Sequence, residues 1–370
     1  MQIDGRLLLK NKMVIVRELL FMKVGIVTFT FGDNYGQRLQ NYAVQELLKV
    51  RGLDVSTIRQ SEQRCSFKHR VKTYLTDCFT GMRKTKLKRH SSFVEFDEKY
   101  ITYEPGCSLP DCPPSQANGF DAFVAGSDQI WSPYIPDNNG AMFLSFADNA
   151  KKISLSASIA APKLPEEKKS IYKDRLSSFS FISVREDNAA RMLKECSGLN
   201  AEVLIDPTLM LDCDVWNGLA KAPVCSLPQR YALKYFLGTD SKKVGMFEDY
   251  CMRTGLEVVD LLGDPRYFTC GPSEFIYLIK NSMLVATDSY HGSIFSILYG
   301  KPLLMFERSG SQFDMSDRFD TLEEKLGLGN WREANWESIK NDTLRPFDVT
   351  DHLQVERDRF NSFLNRALLD

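Results

Sequence analysis

Short apolar runs recur along the chain, each closed by a polar turn and followed by apolar positions at helical spacing. Residues 23–30 (KVGIVTFT) are rich in β-branched and aromatic side chains and predict a strand. Gly32, Asp33, Asn34 and Gly36 make a turn. Leu39, Tyr42, Ala43, Leu47 and Val50 then recur as one face of a helix, and residues 53–58 predict the next strand. The rhythm continues with strands over 120–125, 152–157 and 181–185 and helices over 166–179 and 186–196. It resumes with strands over 231–237, 256–262 and 284–287 and helices over 242–254 and 272–280. Strand–helix alternation predicts an α/β fold with parallel sheets. A chain of 370 residues exceeds one ordinary core. Two Rossmann-like domains are therefore expected, over 22–198 and 199–349, with a hinge near 198–228 and a C-terminal helix over 350–370. Residues 1–21 read as a disordered or appended leader ahead of Met22.

Three polar turns at predicted strand ends hold the candidate chemistry. The sharpest is Asp288-Ser289-Tyr290-His291-Gly292, between an apolar strand and an apolar helix. Ligands of open α/β sheets sit outside the carboxyl ends of the strands, and a helix N-terminus favours an anion. His291 is one of four histidines, and imidazole is suited to acid–base work near neutral pH. The second turn, Gly126-Ser127-Asp128-Gln129-Ile130-Trp131, aims a carboxylate at the rim. Asp128 either orients or deprotonates a substrate hydroxyl or caps a helix; Trp131 either stacks on a sugar or fills the core. The third places Arg185 above a helix start, to bind phosphate or carboxylate or to pair with Glu186 or Asp187. Arg318 joins the anion site or caps its own helix. Asn34 and Gln40 contact a ligand, or Asn34 only supports its turn. That first turn lacks the G-x-G-x-x-G order of a dinucleotide fingerprint.

Composition narrows the partners. Formal net charge is -1, which gives no support to nucleic-acid binding. Hydrophobic residues make up 43% and charged residues 26%, as in a soluble globular protein, and no apolar run is long enough to span a bilayer. The nine cysteines are scattered and odd in number, without zinc-like spacing. They read as reduced cytoplasmic thiols, and no ligand cluster suggests a metal. Between Arg64 and His90 stand nine Lys or Arg and one acid, Asp77. This stretch predicts a basic amphipathic helix, either lying on an anionic membrane or solvated at the surface. A separate helix is expected over 91–100, and a loop over 104–118, where four prolines and two cysteines cluster.

In order along the chain, Asn34-Tyr35-Gly36 with Leu39–Ala43, Gly126–Trp131, Ser183-Val184-Arg185-Glu186-Asp187, Asp206-Pro207-Thr208, and Ser289–Gly292 with Gly300-Lys301-Pro302 resemble the polysaccharide pyruvyl transferase family. The resemblance runs from Met22 to the end. It implies a fold like the GT-B glycosyltransferases, with two Rossmann-like domains across a cleft. It also implies transfer of a pyruvyl group from phosphoenolpyruvate to a hexose of a cell-surface polysaccharide as a cyclic ketal, without a cofactor. On this analogy His291 and Asp128 are catalytic, and Arg185, Ser289, Gly292 and Arg318 bind the donor phosphate or carboxylate. Asn34, Tyr35, Gln129 and Trp131 then bind the acceptor, a glycan or lipid-linked sugar. The enzyme would be cytoplasmic, with peripheral membrane contact through Arg64–Arg89. One departure stands out: family members often carry Arg where this chain has Ser289, which removes a bidentate clamp that Arg185, Arg318 or Lys301 would have to replace. Two other readings stay in view: a GT-B glycosyltransferase using a nucleotide sugar, which would share the fold, and a non-catalytic glycan-binding subunit, which Ser289 keeps open.

Overall fold

A computed structural model describes residues 22–60, 81–110, 112, 114–135, 140–238, 243–307 and 316–369. Eleven strands are named in chain order: β1 (Lys23–Val27), β2 (Asp54–Gln60), β3 (Tyr103–Leu109), β4 (Ala122–Ala125), β5 (Lys151–Ala157), β6 (Phe181–Val184), β7 (Glu202–Val203), β8 (Tyr231–Tyr235), β9 (Glu257–Asp260), β10 (Leu284–Thr287) and β11 (Leu303–Met305). The first seven form one sheet, ordered β3-β2-β1-β4-β5-β6-β7 and parallel throughout. The last four form a second parallel sheet, ordered β11-β10-β8-β9. Both are doubly wound, with strand order reversing between β1 and β4 and between β8 and β10, so each domain is Rossmann-like and the pair is GT-B-like. The strands are short apolar runs because helices cover both faces of a parallel sheet; β4, β10 and β11 are buried at every position.

Several expectations need correction. The first domain extends past 198, since β7 pairs with β6 in its sheet. Residues 104–118 are not all loop: β3 is an edge strand, where Pro105 need not donate to a neighbour on its outer side. Cys107 and Cys112 are not free thiols but a disulfide, brought to a Cα–Cα distance of 5.2 Å by the turn after β3. Among the described residues of this stretch, one helix, Arg83–Tyr100, runs through the boundary expected between two helices near residue 90. Phe67, Val71, Tyr74 and Cys78 of the basic stretch lie outside the described residues, as does the leader over 1–21. Val50, assigned to the apolar stripe of the first helix, is exposed at that helix's C-cap.

The two domains share one hydrophobic core. The helix Tyr35–Lys49 lies between them, which is why it buries Arg38, Gln40, Asn41 and Gln45 as well as its apolar face. Tyr35 stacks on Phe275 at 4.5 Å and meets Tyr235 at 5.5 Å, while Trp216 bridges Tyr42 and Phe295. The Tyr35 hydroxyl donates to the Cys270 carbonyl and accepts from Arg89, which also donates to Phe268 and Asp33 carbonyls. The C-terminal helix, Thr350–Leu369, packs back on the first domain: Arg366 pairs with Glu202 and Phe363 meets Phe181.

Candidate active site

The three polar turns converge on one buried cluster at the seam between the domains. Arg185 follows β6 directly and is 1% exposed. Its Nη1 donates to Asp206 Oδ2 at 2.6 Å and, more weakly, to Ser127 Oγ at 3.4 Å. Asp206 caps the short turn Pro207–Met210, its Oδ1 accepting from the Thr208 backbone N–H and hydroxyl. The Ser127 hydroxyl donates to Oδ2 as well. His291, from the second domain, brings its Nε2 to 3.5 Å from the same Oδ2, within ion-pair range but off the line of a hydrogen bond. Burial alone would raise the Asp206 carboxyl; His291, Arg185 and the Thr208 hydrogen bonds outweigh it and hold the group well below the usual carboxylate range. Asp206 therefore stays ionised and ties Arg185 and His291 together.

Tyr290 lies on the other side of Arg185, with that guanidinium 4.4 Å and that of Arg318 5.2 Å from its ring centroid. Burial, then repulsion from Arg185, pushes the Arg318 guanidinium down to about 10, so it remains charged at neutral pH. Arg185 keeps Nε and Nη2 without any hydrogen-bond partner although both are buried. Unspent guanidinium donors are the kind that a carboxylate or phosphate takes in bidentate fashion. Asp128 stands in the left-handed region at φ 79°, and Ser156, near the end of β5, and Ala160, just beyond it, do so at 52° and 49°. Such backbone strain in non-glycine residues clusters at functional sites.

The His291 seat comes from the opposite domain. A Cβ added at Gly36 would lie 2.1 Å from His291 Nδ1 and 2.6 Å from Cγ, so the imidazole rests on the bare backbone of the first helical turn. The domains are also tied beside the cluster: Asn188 donates to Asp317 at 2.6 Å, and the Asp187 N–H to the Thr321 hydroxyl at 3.1 Å.

The structure thus gathers Arg185, His291 and, across Tyr290, Arg318, with Asp128 close enough to act electrostatically on both guanidiniums. Other predicted residues stand elsewhere or are otherwise engaged. Trp131 is fully buried, stacked on Phe143 at 5.5 Å with Phe179 against it, so it has no face for a sugar. Tyr35 is equally buried in the interdomain core. Ser289 and Gly292 are spent on each other, the Ser289 hydroxyl capping its helix by accepting from the Gly292 N–H. Asn34 is an exposed helix cap, accepting from the Gln37 N–H, and Gln129 is half-buried. Gln40 supports the Ser127 turn by donating to Thr28, whose hydroxyl holds the Ser127 carbonyl. Asp206, Tyr290, Gly36 and Glu186 were given no separate role by the sequence. Only Asp206 carried a signal, as a capping acid followed by Pro-Thr at the end of an apolar run. Among the described residues no group of His, Cys, Asp or Glu side chains converges as metal ligands do.

The model of the polysaccharide pyruvyl transferase family matches residues 34–310. The chain belongs to the polysaccharide pyruvyl transferase family. All three polar turns lie within the match, whereas Arg318 lies beyond it. Curated protein sequences contain no match to this chain. Among solved structures, the UDP-GlcNAc 2-epimerase of Methanocaldococcus jannaschii, in complex with UDP-GlcNAc and UDP, is similar at 12% identity and a TM-score of 0.45, over 92% of this chain and 100% of that one. A glycosyltransferase from Rickettsia africae is similar at 12% identity and 0.44, over 93% and 98%. The UDP-GlcNAc 2-epimerase from Neisseria meningitidis, bound to UDP-GlcNAc, is similar at 11% and 0.44, over 94% and 100%.

Proposed function

We propose that this family member transfers the pyruvyl group of phosphoenolpyruvate to two hydroxyls of a hexose in a cell-surface polysaccharide, forming a cyclic ketal and releasing phosphate. The observation that carries this reading is the pair of buried guanidiniums beside His291, one of which keeps two donor nitrogens unpartnered. Phosphoenolpyruvate has a carboxylate and a phosphate that two such groups would neutralise. Arg185 takes the carboxylate and Arg318 the phosphate. Asp128 accepts the proton of the attacking sugar hydroxyl as it adds to C2. His291 serves the leaving phosphate as acid, and Asp206 holds the imidazole. The second hydroxyl then closes the ketal.

The acceptor is a glycan or lipid-linked sugar, reached at the inner face of the membrane. Lys84, Lys86 and Lys88 are exposed on the helix Arg83–Tyr100 and would face anionic lipid, whereas Arg89 is turned inward to the domain interface. No described helix is long and apolar enough to cross a membrane.

The test is phosphate release from phosphoenolpyruvate with a panel of glycan acceptors, comparing the wild type with His291→Ala and Arg185→Ala. Loss of turnover in both variants is expected. Retained turnover in both would remove the assignment, and a thermal shift with nucleotide sugars but not with phosphoenolpyruvate would favour a glycosyltransferase.

A further inference from the structure

The scheme above leaves one proton without a source: the one that converts the enol methylene, C3, into the methyl group of the ketal. Asp206 cannot supply it, because its partners keep it ionised. Glu186 is different. It is 2% exposed and follows Arg185 directly in the chain, but it does not pair with that arginine. Its Oε1 accepts a short hydrogen bond from the Ser158 hydroxyl, and the Ile159 backbone N–H bonds the same carboxyl. Its Oε2 is buried with no partner. A carboxyl whose one oxygen is occupied by donors carries its proton on the other. Here that oxygen has no acceptor within the protein. Ser158 and Ile159 stand between two left-handed residues, Ser156 near the end of β5 and Ala160 beyond it, so this arrangement is held by strained backbone.

Resting on the phosphoenolpyruvate reading, we propose that Glu186 is a further catalytic residue, the general acid that protonates C3 of the donor. The Glu186 O–H bond breaks as the C3–H bond forms, and the electron pair of the C2–C3 double bond makes the new bond. C2, now electron-deficient, takes the first sugar hydroxyl, whose proton passes to Asp128. Loss of phosphate, assisted by His291, reopens C2 for the second hydroxyl. The protons of the two hydroxyls replace the one on Glu186 and leave with phosphate, so the cycle needs no further reactant. Position favours this assignment: the Glu186 carboxyl lies close enough to act electrostatically on both Arg185 and Arg318, the two guanidiniums that would hold the donor. Burial drives the Glu186 carboxyl upward, opposed by Arg185 and Arg318, which keeps the acid form accessible.

The experiment compares wild type, Glu186→Gln and Glu186→Asp in steady-state phosphate release and by thermal shift with phosphoenolpyruvate. A general acid contributes about 10²- to 10⁴-fold. The expected result for Glu186→Gln is a fall of that size in kcat, with KM and the thermal shift for phosphoenolpyruvate changed only a few-fold and partial recovery in Glu186→Asp. Wild-type turnover in deuterated water should place solvent deuterium in the ketal methyl group. Turnover of Glu186→Gln within tenfold of an active wild type would overturn the role of Glu186 alone, as would a rise in KM with kcat unchanged. A wild type that releases no phosphate and shows no thermal shift with phosphoenolpyruvate would overturn the donor reading and the acid with it.

Discussion

Replacing Gly36 by Ala tests whether the two domains assemble the seat of His291, the proposed acid, between them. The added methyl would stand 2.1, 2.6 and 2.7 Å from Nδ1, Cγ and Cε1 of His291, where ordinary contact begins at 3.4 Å. The imidazole must retreat by over 1 Å, or the domains must part. Either movement carries Nε2 away from Asp206, to which it stands at 3.5 Å. A misplacement of about 1 Å can lower a rate by about 10²-fold, near 2.7 kcal/mol in the barrier. Stability should change less. Overpacking costs about 1–3 kcal/mol, while Ala for Gly inside a helix returns about 0.5–1 kcal/mol. Gly218 is the matched control: it is helical and a Cβ there meets nothing within 4 Å, so Gly218→Ala should be neutral or slightly stabilising with full activity. The assay is phosphate release alongside thermal melts of both variants. Wild-type turnover in Gly36→Ala would refute the seat, and an equal loss in Gly218→Ala would show that the effect is not local.

Asp206→Asn removes the anion that offsets a fully buried Arg185, and should cost about 3–5 kcal/mol in urea melts at neutral pH. Its pH dependence has a definite sign. The folded carboxyl lies below its unfolded value of about 3.9, so its stabilisation is present above that pH and is lost as pH falls further; wild type and variant should converge below about pH 4, and a constant gap would contradict this. Glu186→Gln should act oppositely: a raised folded carboxyl costs stability as pH rises above its unfolded value of about 4.3, so the variant should gain in Tm at pH 8 relative to pH 4. Equal shifts at the two pH values would contradict a raised carboxyl. Trp131→Ala should lose about 3–5 kcal/mol in stability, measured by chemical denaturation, with acceptor KM unchanged in the folded fraction.

The strands of both sheets were legible because a parallel sheet covered by helices demands short apolar runs, and 120–125 or 284–287 read no other way. β3 was not, since Pro105 and Gly106 argue for a loop and only its place at the sheet edge permits a strand. The end of the first domain was misjudged because β7 has two residues and no pattern of its own. The site was partly legible for a related reason. His291 and Arg185 are marked by position, each just after a strand. Trp131 shares that marking but faces inward, and an aromatic in a polar turn looks alike in either orientation. Asp206 and Gly36 act only through partners far along the chain, Asp206 on Arg185 and His291, Gly36 on His291, and such contacts leave no local signature.

The serine at 289 bears on how anion binding is distributed in this family member. Ser289 is the N-cap residue of the His291 helix, and its hydroxyl is committed to that cap, so it does not substitute chemically for an arginine there. A guanidinium is nevertheless present against the same turn. Arg318 comes from the helix Ser316–Lys325, is 3% exposed, and lies against Tyr290, the residue between Ser289 and His291. The Tyr290 ring lies within cation–π range of both guanidiniums, which is favourable to each. Burial and repulsion from Arg185 lower Arg318, and Glu186 and Asp128 offset only part of that. A donor with two anionic groups would relieve that repulsion on binding. On the proposed reading Arg318 would supply from a different helix the positive charge that Ser289 does not, and the Asn188–Asp317 contact beside it would make that supply depend on the domains being together.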